Sequence, residues 1–333
     1  MRPSAAHIIT LFMLLFAVDA HSDVALNISI AVFDPGLPAD QSLYRAQQVF
    51  PRVREIEAKF LPFVLRDTLV KTQEWGAVRV VPKADVAAEL LVSGTIVRSN
   101  GEILELKIRA VDASGRVWLD EAFAGAVENQ SLFVEIANSL QETRAQLNNK
   151  TLTDIVEISL LRYANELAPS AFGDYLSRAA DDTFTIRRLP ARNDPMLDRI
   201  DRIRRTEYVI TDTVDAKFRE LHAEIASIYE LWRIYRRKVI EYQNQDARRA
   251  QNTKSDAPRG SYEAMKNQYD NYKFSRVTAQ EQDRLAVAFN NEVGPTVDAV
   301  EARIAELEVW VEQRYAEWHR LLEELFEVET ALQ

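Results

Sequence analysis

The C-terminal half of the chain carries two long runs in which apolar side chains recur every three or four residues. This heptad spacing is typical of a coiled coil, because it keeps one face of a helix against a partner helix. The second run begins just after Pro295 and contains one polar member, Arg314. The first run is Val214, Phe218, Leu221, Ile225, Ile228, Trp232, Tyr235, Val239 and Tyr242, and the second is Val297, Val300, Ile304, Leu307, Val311, Arg314, Trp318, Leu321, Leu325, Val328 and Leu332.

The two runs predict helical arms at about 195–245 and 296–332 that pair as a long antiparallel hairpin. Asp194-Pro195 favours a helix start there, since it combines an N-cap residue with proline at the first helical position. Opposite charge supports the pairing, because residues 233–249 hold six bases and two acids while 296–312 hold five acids and one base. Apolar burial supplies most of the driving force, because exposed ion pairs contribute little. A homodimer through the same seams is the competing geometry.

Residues 246–277, between the arms, are polar and broken by Pro and Gly, which predicts a tip that joins the two helices. Tyrosines alternate with basic residues in this tip, a composition that suits a partner-binding surface. Packing of the same tyrosines against the helical bundle explains the pattern equally well. The candidate partner-binding residues are Arg248, Arg249, Arg259, Tyr262, Tyr269 and Tyr272.

Residues 24–147 show a different periodicity, which predicts a separate α+β domain. Large apolar residues alternate with smaller or polar ones from Leu26 to Val32, which indicates a half-buried strand. Pro62 should kink or split the first long helix. We therefore predict a mixed sheet with helices mainly on one face, followed by an all-α domain over 150–333 without strands. The predicted strands are about 26–32, 78–81, 90–98, 102–111 and 116–123, the helices are 42–74 and 131–146, and 181–194 is a loop.

Residues 1–20 have the pattern of a secretory signal peptide, with Arg2 followed by an apolar run over 8–18. Small residues at Val18 and Ala20 predict cleavage after Ala20. The apolar run is shorter than the roughly 20 residues that a membrane-spanning helix needs, so we expect no transmembrane segment in the mature chain. Export without any cysteine favours a bacterial periplasm.

The composition argues against most catalytic and binding chemistries. With 51 acidic and 41 basic residues the chain is acidic, whereas nucleic-acid binders usually present a basic face. Zero cysteines exclude thiolate chemistry, and no phosphate-binding loop or nucleophile elbow occurs. We interpret His222 as a packed, hydrogen-bonded core imidazole, and His319 with Glu323 lacks a third metal ligand. We expect no catalytic, cofactor-binding or metal-binding residues, and we interpret Arg199, Arg202, Arg204 and Arg205 as a solvated helix face.

The first domain resembles the small periplasmic α/β domains of TolB (its amino-terminal part), CsgG and LpoB. The resemblance covers about residues 26–125 and lies in Ile28–Phe33, Val78–Pro82, Leu90–Ile96 and Arg116–Leu119. It implies a non-catalytic domain that binds other envelope proteins. This chain lacks the lipoprotein cysteine of CsgG and LpoB, propeller repeats and a barrel-forming hairpin pair, so propeller and pore functions do not carry over.

These observations favour a non-enzymatic periplasmic interaction or scaffold protein of a bacterial cell-envelope assembly, whose partners are envelope proteins. The alternative is a ligand-binding protein or enzyme with a site where the α+β domain meets residues 152–193. That alternative needs a pocket with convergent polar groups at this junction. A homodimeric structural rod is a third hypothesis.

Overall fold

The computed structural model describes residues 24–46, 49, 51–82, 84–85, 87–100, 103–126, 131–191 and 193–252, and short helical stretches and single helical residues between 262 and 324. The α+β class predicted from the sequence is confirmed. In chain order the elements are β1 (Ile28–Ala31), α1 (Leu43–Ala46), α2 (Pro51–Thr72), β2 (Val78–Val81), β3 (Leu90–Ser99), β4 (Ile103–Asp112), β5 (Val117–Ala126), α3 (Ser131–Ala145), α4 (Asn149–Leu167), α5 (Pro169–Phe172), β6 (Leu176–Arg178), β7 (Phe184–Ile186) and α6 (Pro195–Asn252).

Five strands form one mixed sheet in the order β2-β1-β3-β4-β5. Strand β1 runs parallel to β2 and β3, and the remaining neighbours are antiparallel. Alternation along β4 explains the sidedness of the sheet, because Leu106 and Ile108 are fully buried while Lys107 and Arg109 are exposed. Helices α2 and α3 contact each other and share one apolar core with the buried face of the sheet.

Helix α2 contains Pro62 but continues through it as one helix of 22 residues, so Pro62 does not split the helix, which was one of its two predicted effects. Proline costs a helix one hydrogen bond and a backbone clash. The flanking side chains Leu61, Phe63 and Leu65 are all at most 4% exposed. Burial of each large apolar side chain contributes roughly 1.5–3 kcal/mol, which offsets that local cost.

Strands β6 and β7 form a small antiparallel hairpin in a region predicted to be strand-free, so that prediction is also wrong. The backbone N–H of Phe184 donates to the Ser114 carbonyl at 2.7 Å, which ties the hairpin to the β4–β5 turn. Gly115 in that turn has φ +87°, and a Cβ there would lie 2.8 Å from the Asp182 carbonyl oxygen. Three-residue strands are too short for a period to be read from the sequence.

Helix α6 is a single helix of 58 residues, roughly 87 Å long at about 1.5 Å per residue. It begins where Asp194 and Pro195 predicted, because the Asp194 carboxylate accepts the backbone N–H of Met196 at 2.9 Å. Among the residues that the structure describes, no helix is long and apolar enough to cross a membrane.

The predicted coiled-coil hairpin falls mostly outside the described side chains. Of the two heptad runs, only Tyr235, Arg314 and Leu321 have described side chains. Two contacts nevertheless connect the C-terminal region to the body, one of them a 2.6 Å ion pair between Arg52 and Asp298. In the other, the Lys217 ammonium lies 5.5 Å from the Trp310 ring centroid. Residue 310 therefore lies beside residue 217, whereas the predicted pairing of 296–312 with 233–249 would put it beside the latter stretch.

Ion pairs hold the first half of α6 against the α+β domain. Asp212 accepts two hydrogen bonds from the Arg79 guanidinium of β2, at 2.6 and 3.2 Å. One turn later Asp215 lies 3.3 Å from Arg66 of α2, and its side chain is only 5% exposed. A buried carboxylate needs such partners, because an unpaired charge away from water is costly.

We expect Asp215→Ala to lower the free energy of unfolding by about 2–3 kcal/mol, since it leaves the part-buried Arg66 without its α6 partner. Urea unfolding followed by tryptophan fluorescence measures the loss. The matched control is Asp201→Ala, which breaks an exposed α6 pair with Arg205 and should cost less than about 0.5 kcal/mol. Equal losses in both variants would contradict this account of how α6 is held.

Candidate functional site

The predicted partner-binding tip presents its aromatic side chains to solvent. The side chains of Tyr262, Met265, Tyr269 and Tyr272 are 79%, 58%, 64% and 61% exposed, respectively. Their spacing of three, four and three residues puts them on one side of a helix, and we call these four residues the tip face. Arg248 is also exposed, while the side chain of Arg249 and the whole of Arg259 lie outside the described residues.

A continuous face of this kind differs from the single exposed apolar residues that are normal on any protein surface. Tyrosine combines a large apolar ring with a hydroxyl group, and it is enriched where proteins bind one another. Exposed Lys266 and Lys273 lie beside the tip face, together with Asp270. The arrangement can therefore bury aromatic surface against a partner while charged groups at the rim stay hydrated.

A second feature, which sequence reasoning missed, is a buried polar cluster between α2 and α6. Glu57 and Arg54 of α2 are 0% and 3% exposed, and Tyr229 of α6 is 6% exposed. The Ser99 hydroxyl donates to Glu57 Oε1 at 2.5 Å, while Arg54 donates to the Ile96 carbonyl at 2.7 Å. A sequence signal existed, because helical spacing places Glu57 on the same apolar face as its neighbours in α2.

Burial raises the pKa of the Glu57 carboxyl to about 7. The Ser99 hydroxyl and the Arg54 guanidinium oppose this rise, as do Tyr229 and Arg233 from α6. Burial likewise raises the pKa of the Tyr229 hydroxyl well above its ordinary value. The protonation of a residue at the α2–α6 contact thus changes near neutral pH.

His222 packs in the same contact, as the sequence predicted. Its imidazole stacks on Phe60 with ring centroids 4.5 Å apart and an interplanar angle of 9°, and Phe63 lies 5.6 Å away. Burial lowers the pKa of His222, which favours the neutral ring. Within the described part of the chain its Nε2 atom has no hydrogen-bond partner.

Arg204 was predicted to lie on a solvated arginine face, and the structure overturns this because Arg204 is only 5% exposed. Its guanidinium donates to the Ala87 carbonyl at 2.9 Å and to the Ser159 hydroxyl at 2.7 Å. The helical period places Arg204 on the inward side of α6 beside the buried Ile200 and Ile203. Exposed Arg205, by contrast, forms the predicted ion pair within its own helix.

Two hollows lie where the α+β domain meets residues 152–193, one on each side of the β6–β7 hairpin. Their volumes are about 480 and 640 Å³, and both are open to solvent. In the larger hollow Lys150 and Asp154 neutralise each other as an ion pair at 2.7 Å, and Arg116 and Glu157 are further charged residues of its lining. The smaller hollow contains Arg162, Asn165, Phe172, Leu176, Arg178 and Phe184, and we call it the Arg162 hollow.

Comparisons with known proteins leave the family of this chain open. No protein-family model matches the chain, and no curated protein sequence matches it significantly. The resemblance to the domains of TolB, CsgG and LpoB therefore remains a prediction. In the described portion of the chain, no three or more His, Cys, Asp or Glu residues are grouped so that they could hold a metal ion.

We expect Glu57→Gln to flatten the pH dependence of stability. The pKa of Glu57 is raised from 4.5 to about 7 in the folded protein, so the folded state keeps the Glu57 proton up to a higher pH than the unfolded chain does. Stability therefore falls as pH rises from about 4.5 to 7 and levels off above that range. As the pH rises from about 4.5 to 8, the free energy of unfolding of the variant should increase by roughly 1–3 kcal/mol relative to that of the wild type.

Urea unfolding at a series of pH values measures this difference. The control is Glu55→Gln, because Glu55 lies on the same helix but is exposed. The control variant should follow the wild-type pH profile throughout. An unchanged profile for Glu57→Gln would show that the buried carboxyl keeps an ordinary pKa.

Proposed function

We propose that this chain is a non-enzymatic interaction or scaffold protein of a bacterial cell-envelope assembly. In this proposal the α+β domain anchors a helical arm whose tip face binds an envelope protein. The observation that carries the proposal is the exposure of the tip face, in which four apolar or aromatic side chains are 58–79% solvent-accessible.

The docking of α6 supports the proposal, because it gives the arm a fixed base. Described contacts between α6 and the first domain run from Arg204 to Arg233. Beyond Arg233 the helix continues to Asn252, roughly 30 Å further at about 1.5 Å per residue. In this proposal the second half of α6 holds the tip at a distance from the packed domain.

Export to the periplasm and the coiled-coil hairpin are further parts of the proposal. The predicted signal peptide, residues 1–20 with cleavage after Ala20, lies outside the described residues. Export is supported by the charge and apolar pattern of that segment, together with the absence of cysteine from the chain. The hairpin is supported by the heptad spacing of the two runs.

The spacing of the tip face also indicates what kind of partner it binds. A stripe that repeats every three or four residues matches an apolar stripe on another helix, and knobs-into-holes packing is the means of contact. We therefore propose that the partner presents an amphipathic helix. A second copy of this chain is the rival occupant, since its own tip face has the same spacing.

Photo-crosslinking in intact cells tests the proposal. A benzophenone amino acid replaces Gln268, which is exposed beside the tip face, or Glu220, which is exposed on α6 and serves as the positional control. We expect one discrete crosslinked partner from position 268 and none from 220. Replacement of Tyr262, Tyr269 and Tyr272 by Ser should reduce that product by about tenfold, because it removes the aromatic surface.

Val209→Ser is the matched control for the tyrosine variant, since it removes an apolar side chain that is 64% exposed elsewhere on α6. It should leave the crosslink unchanged. A product that survives the tyrosine substitutions, or no product from position 268, would contradict the proposal. A product that contains only this chain would show that the tip face binds a second copy of this chain instead of an envelope protein.

A further inference from the structure

The Arg162 side chain lines the Arg162 hollow, and the rest of the fold neutralises its positive charge only in part. Arg162 projects from α4, and its guanidinium carbon lies 4.4 Å from the centroid of the Phe184 ring. One of its nitrogens, Nη1, donates to the Ala113 carbonyl at 2.8 Å. Among the described residues no carboxylate oxygen lies within 4.0 Å of this guanidinium.

The surroundings make this unpaired charge costly. Burial lowers the pKa of the Arg162 guanidinium, and the positive charge of Arg178 lowers it further, while Asp85, Glu166 and Asp112 have the opposite influence. Arg178 lies on the same ring, 5.7 Å from the Phe184 centroid, and pairs with the exposed Asp182 at 2.9 Å. An anion beside Arg162 would therefore relieve both desolvation and repulsion.

Three large apolar side chains also line the hollow. Phe172 is 2% exposed and Leu176 is half-buried, and both lie beside Phe184 in the lining. A volume of about 480 Å³ lies within the range of small-molecule sites, which are mostly apolar with a few polar groups that fix orientation. Glu166 is an acidic member of the rim, but it is exposed, so water and salt screen its charge.

We propose that the Arg162 hollow binds a small organic anion, a carboxylate carried on an aromatic or branched apolar group. The carboxylate accepts hydrogen bonds from the guanidinium nitrogens of Arg162 that the Ala113 carbonyl leaves free. The apolar group packs against Phe172, Leu176 and Phe184. This site lies on the α+β side of α6 and does not depend on the tip face, so either proposal can fail without the other.

Ligand-observed fluorine NMR tests the proposal with 4-fluorobenzoate on the full chain. We expect binding with a Kd of roughly 1 mM or below, since Arg–carboxylate bonds and a small apolar contact supply about 4 kcal/mol or more. The neutral isostere 4-fluorobenzamide should bind at least about tenfold more weakly, because it cannot form the charge-assisted pair. No binding of 4-fluorobenzoate, or equal binding of the two probes, would overturn the proposal.

Two variants locate the site. Arg162→Gln keeps a polar N–H group at this position but removes the charge, and it should weaken the binding of 4-fluorobenzoate by about tenfold or more. Asn165→Trp fills the rim from an exposed position on α4, so it should block both probes without removing a cation. Arg205→Gln, outside the hollow, should change neither affinity. If Asn165→Trp, with an unchanged melting temperature, binds 4-fluorobenzoate as well as wild type does, the assignment to this hollow is wrong.

Discussion

The contact between α2 and α6 determines how the rest of the molecule is arranged. The Phe60 ring contacts His222 and Tyr229 of α6 there, and Glu57 is buried in this contact beside Ser99 and Tyr229. Burying a carboxylate disfavours the charged form, which explains why its pKa lies near neutrality. Because α6 supplies part of this core, the long helix and the α+β domain act as one body. The proposed tip and the proposed ligand hollow are both positioned by that body.

Much of this fold could be predicted from the sequence. The positions of the five sheet strands along the chain followed from alternation such as that along β4, where the buried and exposed faces differ sharply. The start of α6 at Pro195 followed from its N-cap. Such local signals are reliable when the apolar pattern extends over many residues and one face of the element is exposed to solvent.

The missed features depend on contacts between residues far apart in the chain. Nothing local indicates that Arg204 meets the Ala87 carbonyl, or that Glu57 faces Tyr229 across more than 100 residues. The β6–β7 hairpin forms because Phe184 bonds to Ser114 and covers the β4–β5 turn. The Arg162 hollow follows from that hairpin, so the sequence could indicate only the junction where it lies.

The contacts between α2 and α6 require that α6 is fixed on α2 in one orientation. Because the chain contains no cysteine, spin labels attach specifically to cysteines that replace Val70 on α2 and Val209 on α6, which are 49% and 64% exposed. Double electron–electron resonance between these labels measures the distribution of their separations. The account predicts a single narrow distribution in the full chain. A broad or multi-peaked distribution at neutral pH would show that the helix is not held on the domain, and it would contradict the account.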